Sequence, residues 1–393
     1  MSKIRIAVLS DIHAYSKGAL DAGQQRPSFV EVGAPSDSPG TNPFTALKEL
    51  VQNEGLEADL LVCAGDLADR AHPASTVYSW ARVRELKEQL SAKALLATAG
   101  NHDLDSRFIH NDHDARSVLQ GLIDFPFSDP ALNNEYWARN LVVQVRDELR
   151  YVVLNSAAHH GYQDEYAHGR ISSRTLDYLK AQLAATQSKD VNLLVVHHHL
   201  SKVTGVDRDD ASEMTHGAAL LDTLDSGDYG RWLVIHGHRH FPYISYGPGT
   251  AESSVIFSAG SFSAVLYDEI QGKARNQFYI IEIEPSTTGR VRGTFRAWDW
   301  ISDEGFVPAQ AMSGLPHRGG FGSPHGATAL AQEIATALGD DALLVWATLE
   351  ERLPELRFTA PRDLKACKGV LQKAHGISLI YSDEGVPIQV GRS

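Results

Sequence analysis

The chain has 393 residues, of which 43% are hydrophobic, so it can bury a substantial core and is long enough for two or three domains. Its formal charge is −13, whereas a dedicated nucleic-acid-binding protein usually has an excess of basic residues. The charge therefore argues against a nucleic-acid-binding protein. Two cysteines do not make a disulfide framework, and no leader pattern or transmembrane-length apolar stretch is found. We therefore predict a soluble protein of a reducing compartment, the cytoplasm, without membrane contact.

Five short apolar runs predict strands, and each run ends in residues that can bind metal ions. The runs cover residues 4–9, 59–64, 94–98, 191–196 and 232–235. Near-continuous apolar runs of this length are typical of strands that are buried on both faces. In open α/β sheets, ligand-binding residues collect beyond the carboxyl ends of the strands. The sequence therefore predicts an α/β fold whose functional residues meet at one edge.

The residues that follow these strands form five motifs rich in carboxylate, amide and imidazole groups. In chain order they are Asp11-Ile12-His13, Gly65-Asp66, Gly100-Asn101-His102-Asp103, His197-His198-His199 and Gly237-His238-Arg239-His240. Oxygen ligands mixed with imidazole nitrogens suit divalent Mn, Fe, Zn or Co better than Ca or a zinc held by thiolates. Because these residues are far apart in sequence, no single loop can hold the ion, and the fold must gather the ligands.

The five motifs resemble the signature of the calcineurin-like metallophosphoesterases, and the resemblance covers roughly residues 1 to 300. It implies a four-layer αββα sandwich of two mixed β-sheets flanked by helices, with two divalent metal ions at its rim. It also implies that Asp66 bridges the two ions. The remaining implied ligands are Asp11, His13 and His240 for the first ion, and Asn101, His197 and His238 for the second.

The same resemblance gives His102 a catalytic role near the phosphorus, as an acid or an electrostatic stabiliser, with Asp103 orienting its ring. The chemistry agrees, because a bridging carboxylate can hold two divalent ions about 3.5–4 Å apart and such a pair activates a water near neutral pH. The identity of one ligand, in the histidine triplet, is ambiguous. Neighbouring side chains of an extended segment point to opposite faces, so either His197 or His198 binds the metal, and we favour His197.

Two further residues are candidates for substrate binding. Arg70 follows the second motif and could reach a phosphate oxygen, although a salt bridge with Asp69 is an equally good interpretation. His216 follows the loop after the histidine triplet and could contact the substrate. His236 is expected to pack or to support the neighbouring ligand. The Gly- and Pro-rich segment 24–43 predicts a long surface loop beside Asp11 that could shape the pocket.

The residues after the last motif predict strands at 255–258, 278–284 and 291–298, which would complete the second sheet. We therefore place the first domain at 1–303. A Gly- and Pro-rich linker is predicted at 304–326. An accessory α+β module follows at 327–393. Its predicted elements are helices at 327–338, 341–353 and 361–374 and a β-hairpin at 377–390, an arrangement similar to a winged helix.

The last predicted helix carries Arg362, Lys365, Lys368 and Lys373 against Asp363, a pattern that suits an anionic partner or, as we favour, a solvated face on a cap or dimerisation domain. A contact with a protein partner, or with a second copy as a homo-oligomer, is favoured over nucleic acid.

The preferred function is hydrolysis of a small phosphodiester, such as a cyclic nucleotide, by water activated at two divalent ions. The arrangement of strands and motifs resembles the cyclic-nucleotide and small-molecule phosphodiesterases of the superfamily. One alternative is a DNA exonuclease or endonuclease of the double-strand-break repair type, whose motifs are the same. Another is a regulatory module that senses a ligand, but the complete ligand set and His102 argue against an inactive site.

Overall fold

The structure is a computed structural model that describes residues 3–34, 37–161, 168–187, 189–202, 212–249, 252–284, 289–310 and 314–392. Two mixed β-sheets lie face to face, and a third, small sheet belongs to a C-terminal module.

The first sheet joins the strands before the first three motifs to strands from later in the chain. Its spatial order is β12 (Gly305–Pro308), β11 (Arg292–Ile301), β10 (Gln277–Glu284), β1 (Ile4–Leu9), β2 (Leu60–Cys63) and β3 (Ala94–Ala97), and β13 (Arg318–Phe321) also pairs with β11. β1, β2 and β3 are parallel, with Leu9 beside Cys63 and Cys63 beside Ala97. The first three motifs therefore leave the sheet at one edge.

The second sheet contains the strands before the last two motifs. Its order is β4 (Leu141–Arg146), β5 (Leu149–Leu154), β6 (Val191–Val195), β7 (Trp232–His236), β9 (Val255–Ser258) and β8 (Tyr243–Tyr246). β5, β6, β7 and β9 are parallel, whereas β4 and β8 are antiparallel to their neighbours. The segments after β6 and β7 thus also share one edge.

Helices cover the outer faces of both sheets. Along β1, Ile6 and Val8 enter the core between the sheets, whereas Ala7 and Leu9 pack with helices on the outside, as the alternation of strand side chains requires. The helices are α1 (Pro43–Glu54), α2 (Pro73–Gln89), α3 (Ala115–Gln120), α4 (Pro130–Arg139), α5 (Ser173–Ala185) and α6 (Gly217–Leu224). α1 and α2 cover the first sheet, and α5 and α6 cover the second. This confirms the predicted αββα sandwich.

The C-terminal module has its own apolar core. It contains α7 (Ala327–Leu338), β14 (Leu343–Val345), α8 (Trp346–Arg352), α9 (Pro361–Val370), β15 (Ile377–Tyr381) and β16 (Pro387–Arg392). The segment between α8 and α9 attaches the module to the first sheet, since Ser323 N donates to Phe358 O at 3.0 Å and Arg357 pairs with Glu284 at 2.8 Å. In the part of the chain that is described, no helix is both long and apolar enough to cross a membrane.

Two sequence predictions about this region were wrong. The predicted linker 304–326 contains β12 and β13, which extend the first sheet. The helix predicted at 341–353 is a strand followed by a shorter helix. The helix predicted from 361 to 374 is present, since α9 continues as a π-helical turn, Leu371–His375, whose C-cap is Gly376. β12, β13 and β14 are at most four residues long. β12 forms a hairpin with the preceding β11, whereas β13 and β14 pair with strands that are farther away in the sequence, and this pairing decides their conformation.

Candidate metal centre

The first motif and the last motif meet at the edge shared by the two sheets. His13 Nε2 lies 3.1 Å from His240 Nε2, and His240 Nε2 lies 3.4 Å from Asp11 Oδ1. His13 Nε2 is also 3.8 Å from Asp11 Oδ1. Two imidazole nitrogens and a carboxylate oxygen thus converge on one point, which is a ligand arrangement that suits a divalent transition metal. We call Asp11, His13 and His240 the first cluster.

A second group of ligand atoms forms around Asn101. Its side-chain oxygen lies 3.1 Å from His197 Nε2 and 2.9 Å from His238 Nδ1. The other ring nitrogen of His197 lies 2.7 Å from the carbonyl oxygen of Ala64, which is the kind of partner that orients a metal-binding imidazole. We call Asn101, His197 and His238 the second cluster.

The Asp66 carboxylate lies between the two clusters. Its Oδ2 is 3.3 Å from His13 Nε2 in the first cluster and 3.3 Å from His197 Nε2 in the second. Its Oδ1 accepts a hydrogen bond from the backbone N–H of His102 at 2.8 Å. The side chain is 2% exposed, so its charge is withdrawn from water and needs positive partners. Asp66 therefore lies between the two clusters, which is the position expected of a bridging ligand.

Five of these residues adopt the left-handed backbone conformation, which costs about 1–3 kcal/mol each for residues other than glycine. They are Asp11, His13, Asp66, His238 and His240, with φ angles from 50° to 73°. Serine hydroxyls outside the motifs hold the first turn: Ser261 Oγ donates to Asp11 O at 2.7 Å, and Ser263 Oγ donates to Ile12 O at 2.6 Å. Both serines follow the end of a strand, as the motifs do, and the sequence predicts a turn near the rim at Gly260-Ser261.

Asp103 has a different role from the predicted one. Its carboxylate accepts backbone hydrogen bonds from Asp66 at 2.9 Å, Leu67 at 2.7 Å and Gly100 at 2.8 Å. It therefore fixes the turns that carry Asp66 and Asn101. The prediction that Asp103 orients the His102 ring is wrong, because its oxygens are directed at these backbone donors.

Asp69 holds the His102 ring instead, with Oδ1 3.3 Å from His102 Nδ1. The His102 side chain is 39% exposed, so it reaches the solvent side of the centre, and its ring lies edge-on to His13 at 4.5 Å. His13, Asp69 and His102 form a further group of possible ligands, but His13 already belongs to the first cluster. The position of His102 suits a side chain that acts on a bound substrate.

The side chains of the histidine triplet reach different partners. His197 reaches both Asp66 and Asn101, whereas His198 Nδ1 lies 2.8 Å from Ser156 Oγ and its ring stacks on His160 at 5.2 Å. His198 also lies within ligand distance of His197 and His238, so it remains the competing candidate. His236 is buried, and its Nδ1 lies 3.0 Å from the Gly237 carbonyl oxygen, in the packing position that was expected.

The two candidate substrate residues are placed differently. Arg70 Nη1 pairs with Asp21 at 3.2 Å, and its Nε lies 3.6 Å from Asp69, so the predicted salt bridge exists at the margin of the centre. His216 lies at the start of α6, where its Nδ1 is 2.9 Å from the Ile171 carbonyl oxygen. Among the described residues, the groups with metal-ligand spacing do not include His216. Contact of either residue with substrate stays a prediction.

The predicted pocket loop packs beside the first motif. The backbone N–H of Tyr15 donates to Val30 O at 3.0 Å, and that of Phe29 donates to Ser263 O at 2.9 Å. Residues 35 and 36 of this loop lie outside the described residues. The described part of the loop thus borders the first cluster, as its position after the first motif suggested.

The charges in the centre favour cation binding. Burial raises the pKa of Asp66, but His197, His102 and His13 lower it below its usual value, so the carboxylate is ionised. Burial lowers the pKa of His197, but the Asp66 carboxylate opposes this effect and raises the pKa to about 9. Burial lowers the pKa of His160, at the flank, to about 4, so that ring is neutral. A divalent cation would replace the proton on His197 and balance the buried carboxylates.

Comparison with known proteins identifies the family. The chain matches the family model for calcineurin-like phosphoesterases over residues 4–267, and it belongs to this family. Membership confirms the resemblance drawn from the motifs and the hydrolase class that it implies. A second model, named wHTH-Calcineurin_assc, matches residues 319–373, so a winged helix-turn-helix domain is present in the C-terminal region.

Two curated relatives carry more specific names. A "probable cyclic nucleotide phosphodiesterase" of Rhodococcus erythropolis is 29% identical over 202 residues, which are 50% of this chain and 57% of that protein. A "cAMP/cGMP dual specificity phosphodiesterase" of Mycobacterium tuberculosis is 29% identical over 198 residues, 50% of this chain and 52% of that protein. The chain therefore spans about half the length of the relatives it matches.

Among solved structures, purple acid phosphatase PPD1 from yellow lupin aligns with a TM-score of 0.48 and 14% identity, over 78% of this chain and 52% of that one.

The residues present fit the divalent metal ions that this family uses. In each cluster, nitrogen and oxygen atoms that can act as electron-pair donors face one another at 2.9–3.8 Å. Such a set is stable only when a cation or protons lie between the donors. The donor chemistry, imidazole with carboxylate and amide oxygen, suits divalent metal ions.

Proposed function

We propose that this chain hydrolyses a phosphodiester bond at two divalent metal ions, and that cyclic or other small nucleotides are its substrates. The observation that carries the proposal is the meeting of two ligand clusters at one carboxylate, Asp66, which lies 3.3 Å from an imidazole nitrogen of each. The names of the two relatives support the substrate class at 29% identity. The winged helix-turn-helix domain is a candidate for regulation or partner binding.

Each cluster would hold one ion, and Asp66 would be shared. When bound, two divalent ions supply a water that loses its proton near neutral pH and positive charge beside the phosphate oxygens. The protein positions the side chains that would bind the ions. Asp103 fixes the turns that present Asp66 and Asn101, and the Ser261 and Ser263 hydroxyls fix the turn that presents Asp11 and His13.

His102 would protonate the leaving oxygen. Its ring is held on one side by Asp69 and is 39% exposed, so the other ring nitrogen can reach the scissile ester. A general acid of this kind contributes about 10²–10⁴-fold to the rate. Burial lowers the pKa of His102, but Asp66 and then Asp69 raise it above its usual value. Asp69 would be a positioning residue that keeps the ring at the correct angle.

We expect Asp69→Asn to lower kcat by about 10- to 100-fold on a cyclic nucleotide, which is the usual scale for a residue that orients a functional imidazole. The loss should be smaller with bis-p-nitrophenyl phosphate, because its leaving group needs little protonation. Steady-state kinetics on both substrates and metal analysis of the same samples check this. Asp21→Asn is the matched control, since it removes an Arg70 partner but does not contact His102. Loss of bound metal in Asp69→Asn would instead make Asp69 a ligand.

A metal-supplemented substrate screen tests the proposed reaction. We expect hydrolysis of bis-p-nitrophenyl phosphate and of a cyclic mononucleotide, abolished by a chelator and restored by Mn, Fe, Zn or Co. Single- and double-stranded DNA should be cut far more slowly. Preferred cutting of DNA would show a nuclease, and failure to hydrolyse any diester with any of these metals would show a ligand-sensing module.

A further inference from the structure

A second candidate binding site lies in a groove between the sandwich and the winged helix-turn-helix domain. The groove has a volume of about 1210 Å³, and its lining contains none of the seven proposed metal ligands. One wall comes from β8, β11 and β13, and the other comes from α9 and the hairpin of β15 and β16. We propose that this groove binds a short single-stranded nucleic acid.

The residues that line the groove are mostly basic, although the protein as a whole is acidic. The chain as a whole carries a formal charge of −13. The acidic residues of the groove are Glu282 and Glu350, and Glu350 accepts a hydrogen bond from Trp346 Nε1 at 2.8 Å. A cleft lined by one sign of charge concentrates its field on a ligand of the other sign. The basic residues that line it are Lys273, Arg296, Arg318, Arg357, Arg362, Lys365 and Lys368.

Several of these cations are available to a ligand. Three of the arginines are already paired: Arg296 with Glu54, Arg357 with Glu284 and Arg362 with Asp363. In contrast, Arg318 and Lys365 are exposed and make no salt bridge with a described residue. Lys368 is exposed, lies over the Tyr381 ring at 5.1 Å and makes no salt bridge with a described residue. Unpaired cations of this kind bind phosphates without first breaking an ion pair.

The spacing of the cations suits more than one phosphate. Arg362, Lys365 and Lys368 follow one another at three-residue steps on α9, so they share one side of the helix over about 9 Å, at about 1.5 Å per residue. The groove is also larger than most small-ligand pockets, which are about 300–1,000 Å³. A chain of several nucleotides uses this length and volume, whereas a mononucleotide uses a fraction of both.

The geometry favours a single strand over a duplex. Arg362 Nη1 donates to Tyr243 Oη at 3.1 Å, so the start of α9 is tied to β8 across the groove. A helix that reads duplex DNA enters a major groove about 12 Å wide, which requires that its basic side stand clear of the rest of the protein. Tyr243, Tyr381 and Phe241 line the groove as half-buried rings, which are the side-chain type that single-strand-binding proteins present to bases.

Fluorescence anisotropy with a labelled single-stranded 15-nucleotide oligomer tests the proposal. The full-length chain is used, both as wild type and with Asp66→Ala, so that cutting at the metal centre cannot imitate weak binding. We expect binding at low salt that weakens with a slope of about −0.7 per neutralised phosphate. The pair Lys365→Glu and Lys368→Glu should weaken binding at least about tenfold and reduce the slope by about 1.4, the contribution of two phosphates.

The matched control is the pair Lys48→Glu and Lys180→Glu, which makes the same charge change at exposed positions on α1 and α5. The control should bind the oligomer as the wild type does, and both pairs should keep hydrolysis of bis-p-nitrophenyl phosphate. Four results would overturn the proposal: no binding at low salt, equal losses in the two pairs, tighter binding of a duplex of the same length, or displacement of the oligomer by equimolar cyclic mononucleotide. Because binding is measured without turnover, failure here leaves the proposed hydrolase function untouched.

Discussion

Replacing Asp66 with alanine is expected to remove both metal ions and nearly all activity while the chain stays folded. The Asp66 carboxylate lies 3.3 Å from a ring nitrogen of each cluster, so both proposed ions lose a ligand together. The activated water and the charge beside the phosphate are then lost at once. We expect kcat/KM to fall by at least about 10⁴-fold, which corresponds to about 5.5 kcal/mol of transition-state stabilisation.

Two matched variants make this prediction sharper. His240→Ala removes a member of the first cluster, and Asn101→Ala removes a member of the second, so each should lose mainly one ion. Elemental analysis should give about two transition-metal ions per chain in the wild type, about one in these variants and fewer in Asp66→Ala. Circular dichroism checks that all of them fold. Full activity of a chelated, metal-free wild type would refute the dinuclear proposal, as would two retained ions in Asp66→Ala.

Replacing His102 with alanine should leave the metal content unchanged and lower kcat by about 10²–10⁴-fold. His102 is outside both clusters, and its ring is held by Asp69 at the solvent side of the centre. If the ring protonates the leaving oxygen, the loss should be large for a cyclic nucleotide and small for bis-p-nitrophenyl phosphate. Steady-state kinetics with both substrates measure this difference.

The control for His102→Ala is His110→Ala, an exposed histidine from the same loop region. It should change neither metal content nor kcat. Equal losses for the two substrates in His102→Ala would indicate electrostatic stabilisation of the transition state rather than proton transfer. Loss of an ion would make His102 a ligand, together with His13 and Asp69.

Truncation is less informative than these substitutions, because the two parts of the chain share structure. A cut near Asp303 would remove β12 and β13 from the first sheet. It would also remove Ala360, which lies in the core between the two sheets. Point variants in the groove therefore separate the functions of the two parts better than deletion does.

The sequence by itself determined the family, the sandwich and the residues that meet at the centre. This was feasible because the apolar runs are long enough to define buried strands, and parallel strands bring their carboxyl ends to one edge. Asp11, Asp66 and Asn101 follow such strands, and each is a residue type with few other roles in that position. The chemistry of metal ligands and the geometry of the sheet therefore pointed to the same residues.

Tertiary structure decided what depends on contacts between distant segments. Asp103 is the sequence neighbour of His102, so it was the expected partner of the ring. In the fold, the Asp103 carboxylate accepts hydrogen bonds from backbone N–H groups, and Asp69 contacts the His102 ring instead. β12 and β13 are too short to specify themselves, and they form because β11 offers them the one edge that β10 leaves unpaired. The basic groove is assembled from residues scattered between 273 and 368, so its charge is invisible in a chain whose overall balance is acidic.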